Sequence, residues 1–210
     1  MPPTTAEPKF LYFDLGKVLV DYSVEQMCRQ IATVSGIEPA EVADVLYTGG
    51  LQLAYETGHL STRQIYDAFC ARTATRPGYA DWLRALSDIF TPDDRMAGVA
   101  AGLARAGRRM GILSNTCEAH WEHCFSRYAV LRESFSVYAL SFRIGACKPA
   151  AAIFSKAAEM AGCRPEEIFY TDDMPRHVAG ARAAGFDAVL FTSAAELTAE
   201  LGKRGVRLDN

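Results

Sequence analysis

The chain has 210 residues, half of them apolar, and 22 Lys+Arg stand against 25 Asp+Glu for a net charge of -3. A length of this order buries one good core and at most a small accessory domain. The near balance of charge, with no run of one sign, argues against a nucleic-acid or membrane partner and for a small molecule, and no window reaches the roughly 18 consecutive apolar residues that span a bilayer.

The opening stretch, Met1-Pro2-Pro3-Thr4-Thr5-Ala6-Glu7-Pro8, lacks both a basic start and an apolar run, so it reads as a loose tail and not as a signal peptide. Phe10-Leu11-Tyr12-Phe13 is a continuous apolar and aromatic run that stops at Asp14. Such a run suits a strand buried on both faces of a parallel sheet. A second apolar run, Val18-Leu19-Val20, follows Gly16.

From residue 21 to residue 90 only helical signals appear. Val24, Met27, Cys28 and Ile31 fall on one face at helical spacing, and further helices are expected over 40–47, 51–56, 62–71 and 80–90, broken at Gly49-Gly50, Gly58 and Pro77-Gly78. The aromatic residues of this block, Tyr47, Tyr55, Tyr66, Phe69 and Trp82, are read as helix-packing core. Thr91-Pro92-Asp93-Asp94 has the pattern of a helix start, with Thr as N-cap, Pro at the first position and acids in the first turn.

Strand and helix then alternate: a strand at 110–113 ending in Ser114-Asn115-Thr116, a helix at 118–128, a strand at 136–140, a helix at 150–161, a strand at 168–171, a helix at 176–184 closed by Gly185, and a strand at 188–191. Ser193 and Glu196 have the spacing of a capping box for a last helix. The alternation predicts an α/β fold, a doubly wound parallel sheet with right-handed crossovers. The expected organisation is a core of residues 9–20 and 91–210, with an all-helical cap of residues 21–90 inserted after the first strand.

In such a sheet ligands bind at the carboxyl ends of the strands. Asp14-Leu15-Gly16, Ser114-Asn115-Thr116 and Asp172-Asp173 each close a predicted strand, and Lys148-Pro149 precedes a helix. Brought to one edge, they supply a nucleophile, hydroxyl and amide donors, a cation and a pair of carboxylates, the parts needed for phosphoryl transfer. The six cysteines, Cys28, Cys70, Cys117, Cys124, Cys147 and Cys163, show no Cys-x-x-Cys pair, and reduced, mostly buried thiols in a cytoplasmic protein are the expectation.

In order and spacing, these four stretches resemble the four motifs of the haloacid dehalogenase superfamily. The run Phe13-Asp14-Leu15-Gly16-Lys17-Val18-Leu19-Val20-Asp21 is similar to the subgroup that contains α-D-glucose-1-phosphate phosphatase and the N-terminal phosphatase domain of soluble epoxide hydrolase. The resemblance implies a phosphatase with Asp14 as nucleophile and Lys148 as its catalytic cation. Leu15, Gly16, Ser114, Asn115 and Lys148 would then bind phosphate. Mg²⁺ would be held by Asp14, the Gly16 carbonyl and Asp173, with Asp172 a ligand through water or an orienting group. The substrate would be a small phosphate ester, with sugar phosphates one candidate class. A metal-independent 2-haloacid dehalogenase, a phosphomutase and a phosphate-binding protein without turnover are the alternatives.

Two positions depart from the superfamily pattern. Most of its phosphatases carry a second Asp two residues after the nucleophile as general acid and base, where this chain has Gly16. Water or a residue of the insert would then protonate the leaving group, favouring good leaving groups such as anomeric sugar phosphates. His177 stands where the superfamily usually has Asp or Asn, and a surface histidine at a helix start is the expected reading. Asp21 is expected to fix the turn after the first strand, and Lys17 either pairs with substrate or points into solvent.

Overall fold

In the computed structural model, which describes residues 7–209, the run Phe10–Phe13 forms β1 and is buried throughout. The tail expected at residues 1–8 falls mostly outside the described residues. β1 is flanked by two parallel neighbours, β4 (Met110–Ser114) and β6 (Ile168–Asp172), and the sheet is completed by β5 (Val137–Leu140) beside β4 and β7 (Asp187–Leu190) beside β6. All five strands run the same way, so Asp14, Ser114 and Asp172 emerge at one edge.

Alternation along β1 sends Leu11 and Phe13 to one face and Phe10 and Tyr12 to the other. The first face packs on α6 (Asp94–Arg105) through Met96, Val99 and Leu103, on α7 (Glu118–Arg127) through Trp121 and Cys124, and on the last helix, α12 (Ala194–Lys203), through Leu197 and Leu201. The second face packs on α10 (Ala151–Ala161) and α11 (Pro175–Ala183) through Phe154, Ala157, Val178 and Ala181. Two short helices, α8 (Ala129–Glu133) and α9 (Ser141–Ile144), flank β5. The predicted α/β architecture is thus present, with a helical region after the first strand.

That region holds α1 (Val24–Ser35), α2 (Pro39–Ala43), a π-helical turn at Asp44–Thr48, α3 (Leu51–Glu56), α4 (Thr62–Thr73) and α5 (Tyr79–Ser87). Its core, built around Ile31, Leu46, Tyr55, Phe69 and Trp82, is continuous with Cys117 and Ala119 at the start of α7. Tyr55 OH accepts a hydrogen bond from the Ala119 N–H at 2.9 Å, and Thr62 bonds Glu118. Gly58 lies so close to the core that a Cβ there would sit 2.2 Å from the Phe142 carbonyl oxygen. Helical insert and sheet domain therefore share one apolar seam.

Several local expectations give way to tertiary pairing. Phe90–Pro92 is a strand, β3, antiparallel to β2 (Val20–Tyr22), and α5 ends at Ser87. The N-cap of α6 is Asp93, whose carboxylate accepts from the Arg95 and Met96 N–H groups at 2.9 and 3.1 Å, and not Thr91. Val24 is 39% exposed and Tyr47 is 42% exposed, so neither belongs to the insert's core. Ser193 caps α12, its Oγ accepting from the Glu196 N–H at 3.2 Å, which is the N-cap half of the expected capping box. All six cysteines are free thiols and four are buried. Among the described residues no helix is long and apolar enough to cross a membrane.

Candidate functional site

The residue after β1 is Asp14, and its backbone N–H is tied to the Thr171 carbonyl of β6 at 3.0 Å. The neighbouring strand thus fixes where the carboxylate leaves the sheet. Asp14 Oδ1 accepts from the Leu15 N–H at 2.7 Å and lies 3.0 Å from Lys148 Nζ. Oδ2 has no hydrogen-bond partner among the described residues, so one carboxylate oxygen is anchored and the other is free. Burial pushes the Asp14 carboxyl up to about 6, against the opposing pull of the Lys148 ammonium.

Lys148 is itself buried. Its ammonium contacts Asp172 Oδ2 at 2.6 Å, the Tyr170 hydroxyl at 2.9 Å and the Leu113 carbonyl at 3.1 Å besides Asp14. Asn115 holds the lysine backbone from both sides: its Oδ1 accepts from the Lys148 N–H at 2.7 Å and its Nδ2 donates to the Lys148 carbonyl at 3.1 Å. Both ends of the Asn115 amide thus position Lys148, while Nδ2 keeps a second hydrogen and the residue lines the cavity. The Leu15 N–H donates to Asp14 Oδ1.

Asp172 is fully buried with both oxygens occupied. Oδ1 accepts from the Met174 N–H at 2.8 Å, Oδ2 faces Lys148 and the Tyr170 hydroxyl, and His177 Nδ1 lies 3.1 Å from each oxygen. Burial opposes its charge, but the hydrogen bonds from His177 and Lys148 outweigh it and hold the carboxyl well below the usual range. The Met174 contact makes Asp172 a brace for the turn that opens α11. His177, expected at the surface, is buried in the first turn of that helix because Asp172 draws its ring inward.

Asp14, Asp172 and His177 bring one possible ligand atom each within 4.8 Å of one another. A divalent cation among them would meet the Lys148 ammonium, which already bridges the two carboxylates, so this group is a hydrogen-bonded charge network. Asp173 differs. It is half-buried, forms no ion pair among the described residues, and lines the same cavity as Asp14 and Gly16. Burial first, then the Asp172 charge, raises its pKa. The Asp14 and Asp173 carboxylates that line this cavity offer hard oxygen ligands, which suit Mg²⁺.

The cavity measures about 280 Å³ and is also lined by Ser114, Tyr22, Glu56 and His120. Ser114, the last residue of β4, is buried, and it does not cap α7, whose N-cap is Cys117. The space beside Gly16 is filled: a Cβ there would lie 2.7 Å from Tyr22 Cε1. Lys17, next along the chain, pairs with Asp21 and donates to the Tyr22 carbonyl at 2.9 Å, outside the cavity lining. Asp21 also accepts from the Tyr22 N–H at 2.7 Å, the turn-fixing role expected of it.

Sequence reasoning missed Tyr22, Glu56 and His120 as cavity residues. Gln52 and Glu56, one helical turn apart on α3, were the available signal for a polar face in an otherwise apolar helix.

A family model described as haloacid dehalogenase-like hydrolase matches residues 9–185. Among solved structures, a HAD family enzyme from Bacteroides thetaiotaomicron, in complex with magnesium and inorganic phosphate, is similar with a TM-score of 0.79 at 21% identity, over 88% of this chain and 94% of that one. A HAD phosphatase from Thermococcus onnurineus gives 0.67 at 18% identity, over 93% and 98%. L-2-haloacid dehalogenase from Xanthobacter autotrophicus, with chloropropionic acid covalently bound, gives 0.63 at 18% identity, over 95% and 84%. At these identities the likeness is one of fold.

Proposed function

The chain belongs to the haloacid dehalogenase-like hydrolase family, and from that premise we propose that it is a cytoplasmic Mg²⁺-dependent phosphatase of a small phosphate ester. The observation that carries the reading is the division of labour between two adjacent carboxylates. Asp172 is consumed by Lys148 and His177, while Asp173 lines the cavity and forms no ion pair among the described residues. A metal-free dehalogenase has no use for a free carboxylate beside an anionic substrate. A cation held by Asp14 and Asp173 would give it one.

In this reading Asp14 Oδ2 attacks phosphorus while Oδ1 stays anchored by Lys148 and the Leu15 N–H. The alcohol leaves, and water then hydrolyses the aspartyl-phosphate. Lys148 supplies a fixed positive charge whose position Asn115 and Asp172 set, and the Ser114 hydroxyl donates to a phosphate oxygen. Mg²⁺ held by Asp14, the Gly16 carbonyl and Asp173 would supply charge neutralisation at the phosphate. Residues 21–90 act as a cap over a core of 9–20 and 91–210. A cavity of about 280 Å³ suits a small substrate, and a sugar phosphate is the class we favour.

The test is release of p-nitrophenol from p-nitrophenyl phosphate with Mg²⁺, repeated with chelator, with a 2-chloro acid and with Asp14→Asn. Mg²⁺-dependent release that Asp14→Asn abolishes supports the phosphatase. Halide release without metal identifies a dehalogenase, and silence in both assays a binding protein.

A further inference from the structure

We propose that Glu56, contributed by the helical insert, is the general acid and base that position 16 does not provide; the inference rests on the phosphatase reading. Two observations lead to it. The room for an acidic side chain at residue 16 is taken by the Tyr22 ring. Across the same cavity, the wall formed by the insert presents one carboxyl group, that of Glu56 at the end of α3.

Glu56 is firmly placed. Gly58, two residues on, packs against the Phe142 carbonyl, and the Glu56 carbonyl faces Cys147 Sγ at 3.8 Å, next to Lys148. Gln52 Nε2 donates to Glu56 Oε1 at 2.9 Å. Gln52 Oε1 is buried and has no partner among the described residues, so a half-turn of the amide offers an acceptor to the protonated acid. One neighbour thus serves both protonation states, as a residue that gives and retakes a proton needs. Burial raises the Glu56 pKa, while the Gln52 hydrogen bond and the Lys148 charge oppose the rise. The remaining ionisable groups that bear on it, Tyr22, Tyr47, Cys117 and Cys147, are neutral near pH 7.

The position suits the chemistry. Attacking and leaving oxygens lie roughly in line across phosphorus, so a nucleophile on the sheet edge calls for an acid on the wall the insert provides. As Asp14 Oδ2 bonds to phosphorus and the P–O bond to the alcohol breaks, the leaving oxygen takes the Glu56 proton. Glu56, now a carboxylate, removes a proton from the water that attacks the aspartyl-phosphate. The P–O bond to Asp14 breaks, inorganic phosphate departs, and both carboxyl groups return to their starting states. Turnover then extends to poor leaving groups, beyond the anomeric phosphates that Gly16 alone would favour.

The experiment compares kcat/KM, which reports phosphoryl transfer to Asp14, for a primary alkyl phosphate and for p-nitrophenyl phosphate with Mg²⁺. Glu56→Gln is expected to lower the first by about 10²–10⁴-fold and the second by less than about tenfold, because nitrophenolate departs without a proton. It should also remove the alkaline limb of the alkyl phosphate pH profile, and Glu56→Asp should restore part of the rate. Inorganic phosphate binding, measured by calorimetry, reports whether the variant's site is intact. Equal losses on both substrates, or none on the alkyl ester, overturn the assignment. If wild-type protein hydrolyses neither ester, the phosphatase reading itself falls and takes this role with it.

Discussion

Replacing Lys148 by methionine keeps the volume of the side chain and removes the one cation between two buried carboxylates. The ammonium lies 3.0 Å from Asp14 and 2.6 Å from Asp172, and at an effective dielectric near 20 each contact is worth about 5–6 kcal/mol of Coulomb energy. Desolvation of the three groups offsets much of that in the wild type. Deleting one partner forfeits the attraction while the carboxylates stay buried, so the expected loss of stability is about 3–5 kcal/mol. Against a total of about 5–15 kcal/mol this is large.

The loss should depend on pH with a definite sign. Asp14 already titrates near 6, above its ordinary 3.8, because of burial, and without Lys148 its pKa moves higher still. Between that raised pKa and about 6 the folded variant binds a proton that folded wild type does not, so its deficit shrinks as pH falls, by about 1.4 kcal/mol per pH unit, and stops shrinking once wild-type Asp14 is protonated as well. Urea unfolding of both proteins at about pH 8 and about pH 5.5 measures this. A deficit under about 1 kcal/mol, or one equal at both values, would refute the buried three-group cluster as the source of the energy.

His120 offers a second pH-dependent test. Burial pushes its imidazole from 6.5 down to about 4, and its Nε2 lies 3.1 Å from the Leu86 carbonyl. The unfolded chain therefore takes up a proton first, and this residue's contribution is complete above 6.5 and lost as pH falls toward 4, amounting to about 3 kcal/mol at most. Relative to wild type, His120→Phe should flatten the urea-unfolding stability profile across that window, and parallel profiles would count against a neutral buried His120. For Asn115→Ala, the two hydrogen bonds to the Lys148 backbone disappear at a cost of about 1–3 kcal/mol. We expect kcat to fall while inorganic phosphate affinity measured by calorimetry changes little, whereas a loss of phosphate affinity alone would return the side chain to the ligand.

Asp14, Ser114, Asp172 and Asp173 could be placed from sequence because each closes an apolar run, and a parallel sheet sends all such ends to one edge. What each side chain does there could not be read, because its partner is remote in the chain. Asn115 meets Lys148 across 33 positions, and His177 is buried only because Asp172 turns its carboxylate inward. Thr91-Pro92 has good helix-start chemistry, yet pairing with Val20–Tyr22 makes it a strand. Tyr22 and Glu56 looked like ordinary residues of the insert, since nothing local reveals which turn of a helix overlooks a distant strand end.

The seam between insert and sheet domain constrains how such proteins can be diversified. Tyr55 and Thr62 meet Ala119 and Glu118, and Gly58 rests on Phe142. A helical block grafted from a relative would arrive without those matching halves, leaving Cys117 and Ala119 facing foreign side chains. Chimeras that keep their fold should be those in which the start of α7 and helix α9, which bears Phe142, travel with the graft.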